Sequence, residues 1–146
     1  MIDFIRMSLK EAFEELRVTE LPALALRETS PEGTELELAP DFYESLDDSG
    51  FAVLAKDGEK IVGFVAVILS QHQHNGSICA SNDTIYADRD YPLVGGQLIL
   101  HAEAEAKRFG AQFFQWAAPV GSRMDRMFRK RPVYHHSVQV IYEKEL

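Results

Sequence analysis

The stretch Ser77 to Ala118 constrains this chain more than any other, because it reads as one complete unit of strand, helix and strand. The pattern predicts a strand over Ser77 to Asp88 and a tight loop over Arg89 to Val94. A helix then opens at Gly95-Gly96 and closes at Gly110, and a second strand covers Ala111 to Ala118. Leu98, Leu100, Ala102, Ala104, Ala106 and Phe109 are strong helix formers or apolar, and Gly110 stands where a left-handed residue ends a helix. Leu98, Ala102, Glu105 and Phe109 share one stripe. The run Ala111-Gln112-Phe113-Phe114-Gln115-Trp116-Ala117 is short, aromatic and bounded by Gly110 and Pro119, which suits a buried strand better than more helix. A crossover of this length returns the chain parallel to itself and leaves helical N–H groups facing the loop before the helix, where anions bind.

Before this unit, Ser8-Leu9-Lys10-Glu11 is a capping box that opens a helix running to about Val18, with Leu9, Phe13 and Leu16 on its apolar stripe. Leu21 to Leu26 fits helix or strand equally. Ser30-Pro31-Glu32-Gly33 is a loop, and Asp41 caps a short helix over Phe42 to Leu46. Phe51 to Ala55 and Ile61 to Leu69 are strands joined at Asp57-Gly58, a hairpin signal. The second is apolar on both faces and belongs inside the sheet. Asn75-Gly76 turns the chain into the crossover unit. Beyond Trp116, a short basic helix lies within Gly121 to Arg131 with Ser122 as cap, and Ser137 to Tyr142 reads as a closing strand. The order predicts an α+β fold with a mixed, mostly antiparallel sheet and helices on both faces.

At 146 residues and 46% hydrophobic, a single domain over 1–146 is expected. No apolar run is long enough to span a bilayer and the start lacks a signal peptide's apolar core, so no membrane and a cytoplasmic location are expected. The single Cys79 cannot form an internal disulfide and sits in a strand pattern, as an inert buried thiol would. The net charge of −8 is uneven: residues 1–60 hold 15 acidic against 6 basic side chains, the remainder 8 against 9. Such a chain is a poor nucleic-acid binder. Its acidic part attracts cationic small molecules or basic peptides, or else only keeps the protein soluble. His72 and His74 have no third ligand nearby in sequence, and no metal is expected.

The order of elements, with Ile61-Val62-Gly63-Phe64 as third strand and Gly95 to Gly110 as cofactor helix, resembles the GNAT superfamily of N-acetyltransferases. The resemblance covers nearly the whole chain. It implies that acetyl-CoA is the co-substrate, with its pantetheine arm along Ile85 and Ala87 where strands four and five part. The diphosphate would then lie on the loop and helix start, at Tyr91, Leu93, Val94, Gly95, Gly96 and Gln97. The family's loop runs Arg or Gln, two residues, Gly, one residue, then Gly or Ala; here Asp90 and Leu93 replace its first two signature residues and Gly95 keeps the last, with Gly96 one slip away. The basic cluster Arg123, Arg126, Arg129, Lys130 and Arg131 could supply the missing positive charge.

The resemblance further implies direct attack of a neutral amine on the thioester, which needs a base for the amine proton and an acid for the thiolate. The family's tyrosine falls at Phe128, which has no proton to give. Tyr134 is the substitute acid and Asp83 the base nearest the parting strands. The implied acceptor is a small cationic amine, or a protein lysine or N-terminus; a homodimer is compatible with the family. The departures at Asp90, Leu93 and Phe128 sustain a second reading, a GNAT-fold protein that has lost its chemistry and acts by contacting a partner protein. A third is an accessory protein that merely reuses the fold.

Overall fold

The computed structural model describes residues 1–29, 47–71, 74–136 and 140–146. β1 (Ile2–Met7) leads through Ser8 into α1 (Leu9–Leu16) and α2 (Leu21–Thr29). After a short 3-10 turn come β2 (Gly50–Asp57), β3 (Lys60–Gln71), β4 (Ile78–Ala87), α3 (Val94–Arg108), β5 (Ala111–Gln115) and α4 (Arg123–Arg129). The helix expected over Phe42 to Leu46 lies outside the described residues, as does His72. One sheet holds all five strands in the order β1-β2-β3-β4-β5, antiparallel except for the β4–β5 pair. The predicted crossover unit, the hairpin and the α+β class are therefore present.

Each local choice has a visible cause. Ser8 Oγ accepts the Glu11 N–H at 3.1 Å and its hydroxyl donates to the Glu11 carboxylate, also at 3.1 Å. Serine and glutamate thus meet as the capping box requires, with the return bond going to the hydroxyl rather than to the backbone. Gly58 (φ 60°) makes the hairpin turn and Gly110 (φ 90°) ends α3, both in the left-handed region that only glycine enters without strain. Leu21 to Leu26 falls within α2, which packs on β4, and Leu21 and Ala25 are buried in one apolar cluster with residues of α1, β2 and β3.

Strand alternation sorts the core into two layers. Phe51, Val53, Ala55, Val65, Val67 and Ala80 face α3, whereas Ala52, Leu54, Phe64 and Ala66 face α1 and α2. Val94, Leu98, Ala102 and Ala106, spaced four apart, form the buried ridge of α3. Phe109, placed on that stripe by the sequence, is 44% exposed and stacks on Phe51 at 5.3 Å; Glu105 pairs with Arg6 and Arg108 instead of packing.

Other expectations change: the strand expected over Ala111 to Ala118 covers only Ala111–Gln115 and is largely exposed rather than buried, because it lies at the end of the sheet. Ile2–Met7, to which the sequence pattern assigns no element, is a strand; it pairs antiparallel with Ala52 to Asp57 of β2. Ser137 to Tyr142 was expected to close the sheet, but residues 140–142 form no strand; 137–139 lie outside the described residues.

Gly63 is where helix and sheet approach most closely. A Cβ there would lie 2.9 Å from Val94 Cγ1 and 3.0 Å from both Leu98 Cδ1 and the Tyr86 carbonyl oxygen, whereas one on Gly96 meets nothing within 4 Å. Gly63→Ala is therefore expected to destabilise by about 1–3 kcal/mol in urea unfolding. Gly96→Ala should cost nothing or stabilise slightly. Equal costs would mean that α3 does not rest on β3 at this distance.

Candidate functional site

β4 and β5 stay together for only part of their length. Ile78 to Ser81 pair with Ala111 to Gln115, and β4 then runs on to Ala87 without β5. Asn82 marks the parting: its Oδ1 accepts the Ala117 N–H at 2.8 Å and its Nδ2 donates to the Ala117 carbonyl at 3.1 Å. A side-chain amide here takes the place of a peptide group, so the ladder is satisfied at a wider spacing than two backbones allow. Next to it the β3–β4 register slips: Ala66 faces Thr84 and Val67 faces Asn82, leaving Asp83 as the extra residue of a bulge.

Beyond the bulge, alternate peptide groups face opposite ways. The Asp88 N–H donates to the Val62 carbonyl at 2.8 Å and the Tyr86 carbonyl oxygen lies against Gly63, so these residues bond toward β3. Ile85 and Ala87, one residue out of phase, direct their peptide groups to the side that β5 has left. Their side chains pack on the core beneath α3. Among the described residues, no strand pairs with the main chain on this side, and the opening has a packed floor.

At one end of this opening stands the start of α3. The chain enters it through a turn in which the Asp90 N–H donates to Asp88 Oδ1 (2.9 Å), the Tyr91 N–H to the Asp88 carbonyl (2.9 Å) and the Val94 N–H to the Tyr91 carbonyl (3.1 Å). Leu93 occupies the cap position, where it can offer no acceptor, and its side chain is 76% exposed. The N–H groups of Gly95 and Gly96 consequently have no acceptor among the described residues. Gly95 faces β4, since a Cβ on it would lie 3.6 Å from Ala87 Cβ, and Gly96 borders open space.

Other predicted loop residues have different work. The Tyr91 hydroxyl donates to Asp57 Oδ2 at 2.9 Å and its ring lies under Lys60, which ties the loop to the β2–β3 hairpin. That hydrogen bond, some burial and the charges of Asp57, Asp88 and Asp90 hold its pKa above the ordinary value. Val94 is a core residue and Gln97 is exposed. Asp90 is exposed as well. Of the basic cluster, Arg123 reaches the loop, donating from Nη2 to the Pro92 carbonyl at 3.3 Å. Arg126 and Arg129 bond instead to Gly121 and Asp125 around their own helix.

The acid and base candidates lie on different elements. Asp83 is exposed on the bulge and accepts the Thr84 hydroxyl at 3.1 Å. Tyr134 donates its hydroxyl at 2.6 Å to Glu103 of α3, whose same oxygen accepts the Trp116 indole N–H at 2.9 Å. Phe128 stands between Trp116 and Tyr134, at 5.9 and 4.6 Å, in an aromatic stack that begins at Phe114. Sequence reasoning missed Asn82 and Glu103. The first was detectable as an asparagine inside a strand pattern, a residue strands disfavour; the second carried no comparable signal. Cys79 is buried, and that burial raises its thiol pKa, contrary to what a nucleophile needs.

Burial first, and then the bond to Glu103, pushes the Tyr134 hydroxyl up to about 12. The fold thus favours the protonated phenol: the stability it contributes is present below pH 10 and is lost as pH rises from 10 to about 12. An ultraviolet titration should show one tyrosine ionising near pH 12, and Tyr134→Phe should remove that step. Ionisation of every tyrosine near pH 10 would contradict the Glu103 bond.

A model of the acetyltransferase (GNAT) family matches residues 10–131. No curated protein matches the chain in sequence at a significant level. Among solved structures, a ribosomal-protein-alanine N-acetyltransferase from Brucella melitensis biovar Abortus 2308 superposes with a TM-score of 0.72 at 18% identity, covering 100% of this chain and 99% of that one. An aminoglycoside acetyltransferase, meta-AAC0020, from an uncultured soil metagenomic sample, solved with sisomicin, gives 0.74 at 16%, covering 99% and 97%. The aminoglycoside N-acetyltransferase AAC(6')-Iy, solved with CoA, gives 0.72 at 16%, covering 99% and 95%. These likenesses concern the fold; the family match, which spans the predicted crossover unit and most of the chain, shows that this protein belongs to the GNAT family of acetyltransferases.

Proposed function

We propose that the protein transfers an acetyl group from acetyl-CoA to a cationic amine. The observation that carries this reading is the opening between β4 and β5, with the Ile85 and Ala87 peptide groups along it and the Gly95 and Gly96 N–H groups at its end. An extended pantetheine arm with its amides fits an open strand edge, because main chain can pair with it whatever the side chains are. A diphosphate fits a helix start with uncapped N–H groups. Arg123, beside Pro92, supplies the positive charge that Asp90 does not. A related structure was solved with CoA, which supports the choice of co-substrate.

In the proposed reaction the amine nitrogen forms a bond to the acetyl carbonyl carbon and the carbon–sulfur bond breaks. The amine proton passes to Asp83, directly or through water, and the sulfur leaves as thiolate and is protonated in turn. Asp83 is the exposed carboxylate next to the opening, which supports its role as base. With Tyr134 bound to Glu103, its acid role requires that bond to be exchanged for one to the leaving sulfur. The acceptor class rests on the acidic excess of residues 1–60 and on the amines named for related structures, aminoglycosides and a ribosomal-protein alanine. With one cysteine and no described helix long and apolar enough to cross a membrane, the cytoplasm is the proposed setting.

A second reading, a binding module without turnover, is favoured by one observation: the family's tyrosine position holds Phe128, and the nearest phenol is engaged elsewhere. Turnover separates the two. Acetyl transfer to a polyamine or aminoglycoside, followed by thiol release, is expected to fall at 1 M salt, where the Debye length is about 3 Å, and to stay level for a neutral amine. Asp83→Asn should lower kcat by about 10²–10⁴. Acetyl-CoA binding with no transfer to any amine would establish the second reading.

A further inference from the structure

Glu103 joins three segments that are far apart in sequence. Its Oε1 accepts the Tyr134 hydroxyl at 2.6 Å and the Trp116 indole N–H at 2.9 Å, so one oxygen of α3 holds both the chain that leaves β5 and the chain beyond α4. All three side chains are partly buried, and Glu103 forms no salt bridge among the described residues. Phe128 packs between the two rings, but a phenyl ring has no hydrogen bond with which to orient either of them. The polar anchor that the two rings share is Glu103.

The anchor at Trp116 bears on the opening between β4 and β5. The next residue, Ala117, is where the Asn82 amide closes the ladder. Residues 116–119 belong to no helix or strand, so no backbone ladder fixes this stretch. Asn82 sets its distance from β4 and Glu103, through the indole, ties it to α3. A wall held from one side only swings with a single side chain, whereas one held from both sides keeps its place.

We propose that Glu103 is a positioning residue for CoA binding, fixing the β5 wall of the opening through its hydrogen bond to Trp116. The inference rests on the acetyl-transfer reading and extends it to a side chain in the interior of α3, about 13 Å along the helix from the start at Val94. The role needs an acceptor oxygen at this place and not a charge, so a carboxamide should fill it. Tyr134 supplies the comparison, because its bond goes to the same oxygen but leads to the chain beyond α4 and not to the wall.

Calorimetric titration with CoA, followed together with the indole N–H resonance, tests it; the chain has one tryptophan, so that signal belongs to Trp116. Glu103→Ala and Trp116→Phe are each expected to raise the Kd for CoA about tenfold, the effect of losing one hydrogen bond made by a charged group. Glu103→Ala should also move the indole resonance. Glu103→Gln should restore most of the affinity and return the resonance toward its place. Tyr134→Phe, which removes the other bond to Oε1, should lower stability in urea as Trp116→Phe does and leave the Kd for CoA unchanged. Where Glu103→Ala does not fold, Trp116→Phe and Glu103→Gln carry the same comparison. Three results would overturn the inference: affinity unchanged by loss of the Trp116 bond, an equal loss of affinity in Tyr134→Phe, or no rescue by Glu103→Gln. Wild-type protein that binds no CoA would overturn the acetyl-transfer reading and this inference together, whereas wild-type binding that Glu103→Ala and Trp116→Phe leave intact overturns this one only.

Discussion

The proposed acetyl transfer depends on one arrangement, the parting of two parallel strands after a short run of pairs. Paired backbone has no spare groups, so a sheet closed along its whole length could offer a ligand only side chains. Here the Asn82 amide closes the ladder on Ala117 and the bulge at Asp83 bends β4 away. The β4 peptide groups of Ile85 and Ala87, which face away from β3, meet no further strand among the described residues and lie above a packed core. The parting also needs a rigid support, and α3 provides it by resting on Gly63 through Val94 and Leu98. The helix whose start would meet an anion is therefore positioned by its close packing on β3.

The parts legible in the sequence are those set by local chemistry. The capping box at Ser8, the turn at Gly58 and the stop at Gly110 all depend on neighbours within a few positions. What escaped was set by distant partners. Ile2–Met7 alternates poorly, with Asp3 and Arg6 among its apolar residues, and is a strand because β2 lies beside it. Asn82 bonds to a residue 35 positions away and Glu103 to residues 13 and 31 away, so neither bond has a local trace. The tail shows the converse. Residues 140–142 have strand chemistry but no strand, because propensity supplies no hydrogen-bond partner.

The divergent loop is less damaging to anion binding than its sequence implies. A close-approach glycine matters where a side chain would occupy the ligand's place, and Leu93 points its side chain into solvent. Asp90 spends its backbone N–H on an internal turn, and Arg123 arrives from α4 to bond the loop at Pro92. The chemistry is a different matter. A phenol held by a carboxylate and raised to about 12 is a reluctant acid, so the thiolate's proton is the step for which these residues are least prepared.

Mapping of backbone amide shifts on titration with CoA is a direct test of cofactor binding in the opening. The amides of Ile85, Ala87, Gly95 and Gly96 are expected to move together and saturate as one site, and Gly95→Glu, which puts a carboxylate beside the diphosphate, to weaken the titration for the whole group. Shifts confined to other elements, or no shifts at millimolar CoA, would contradict it.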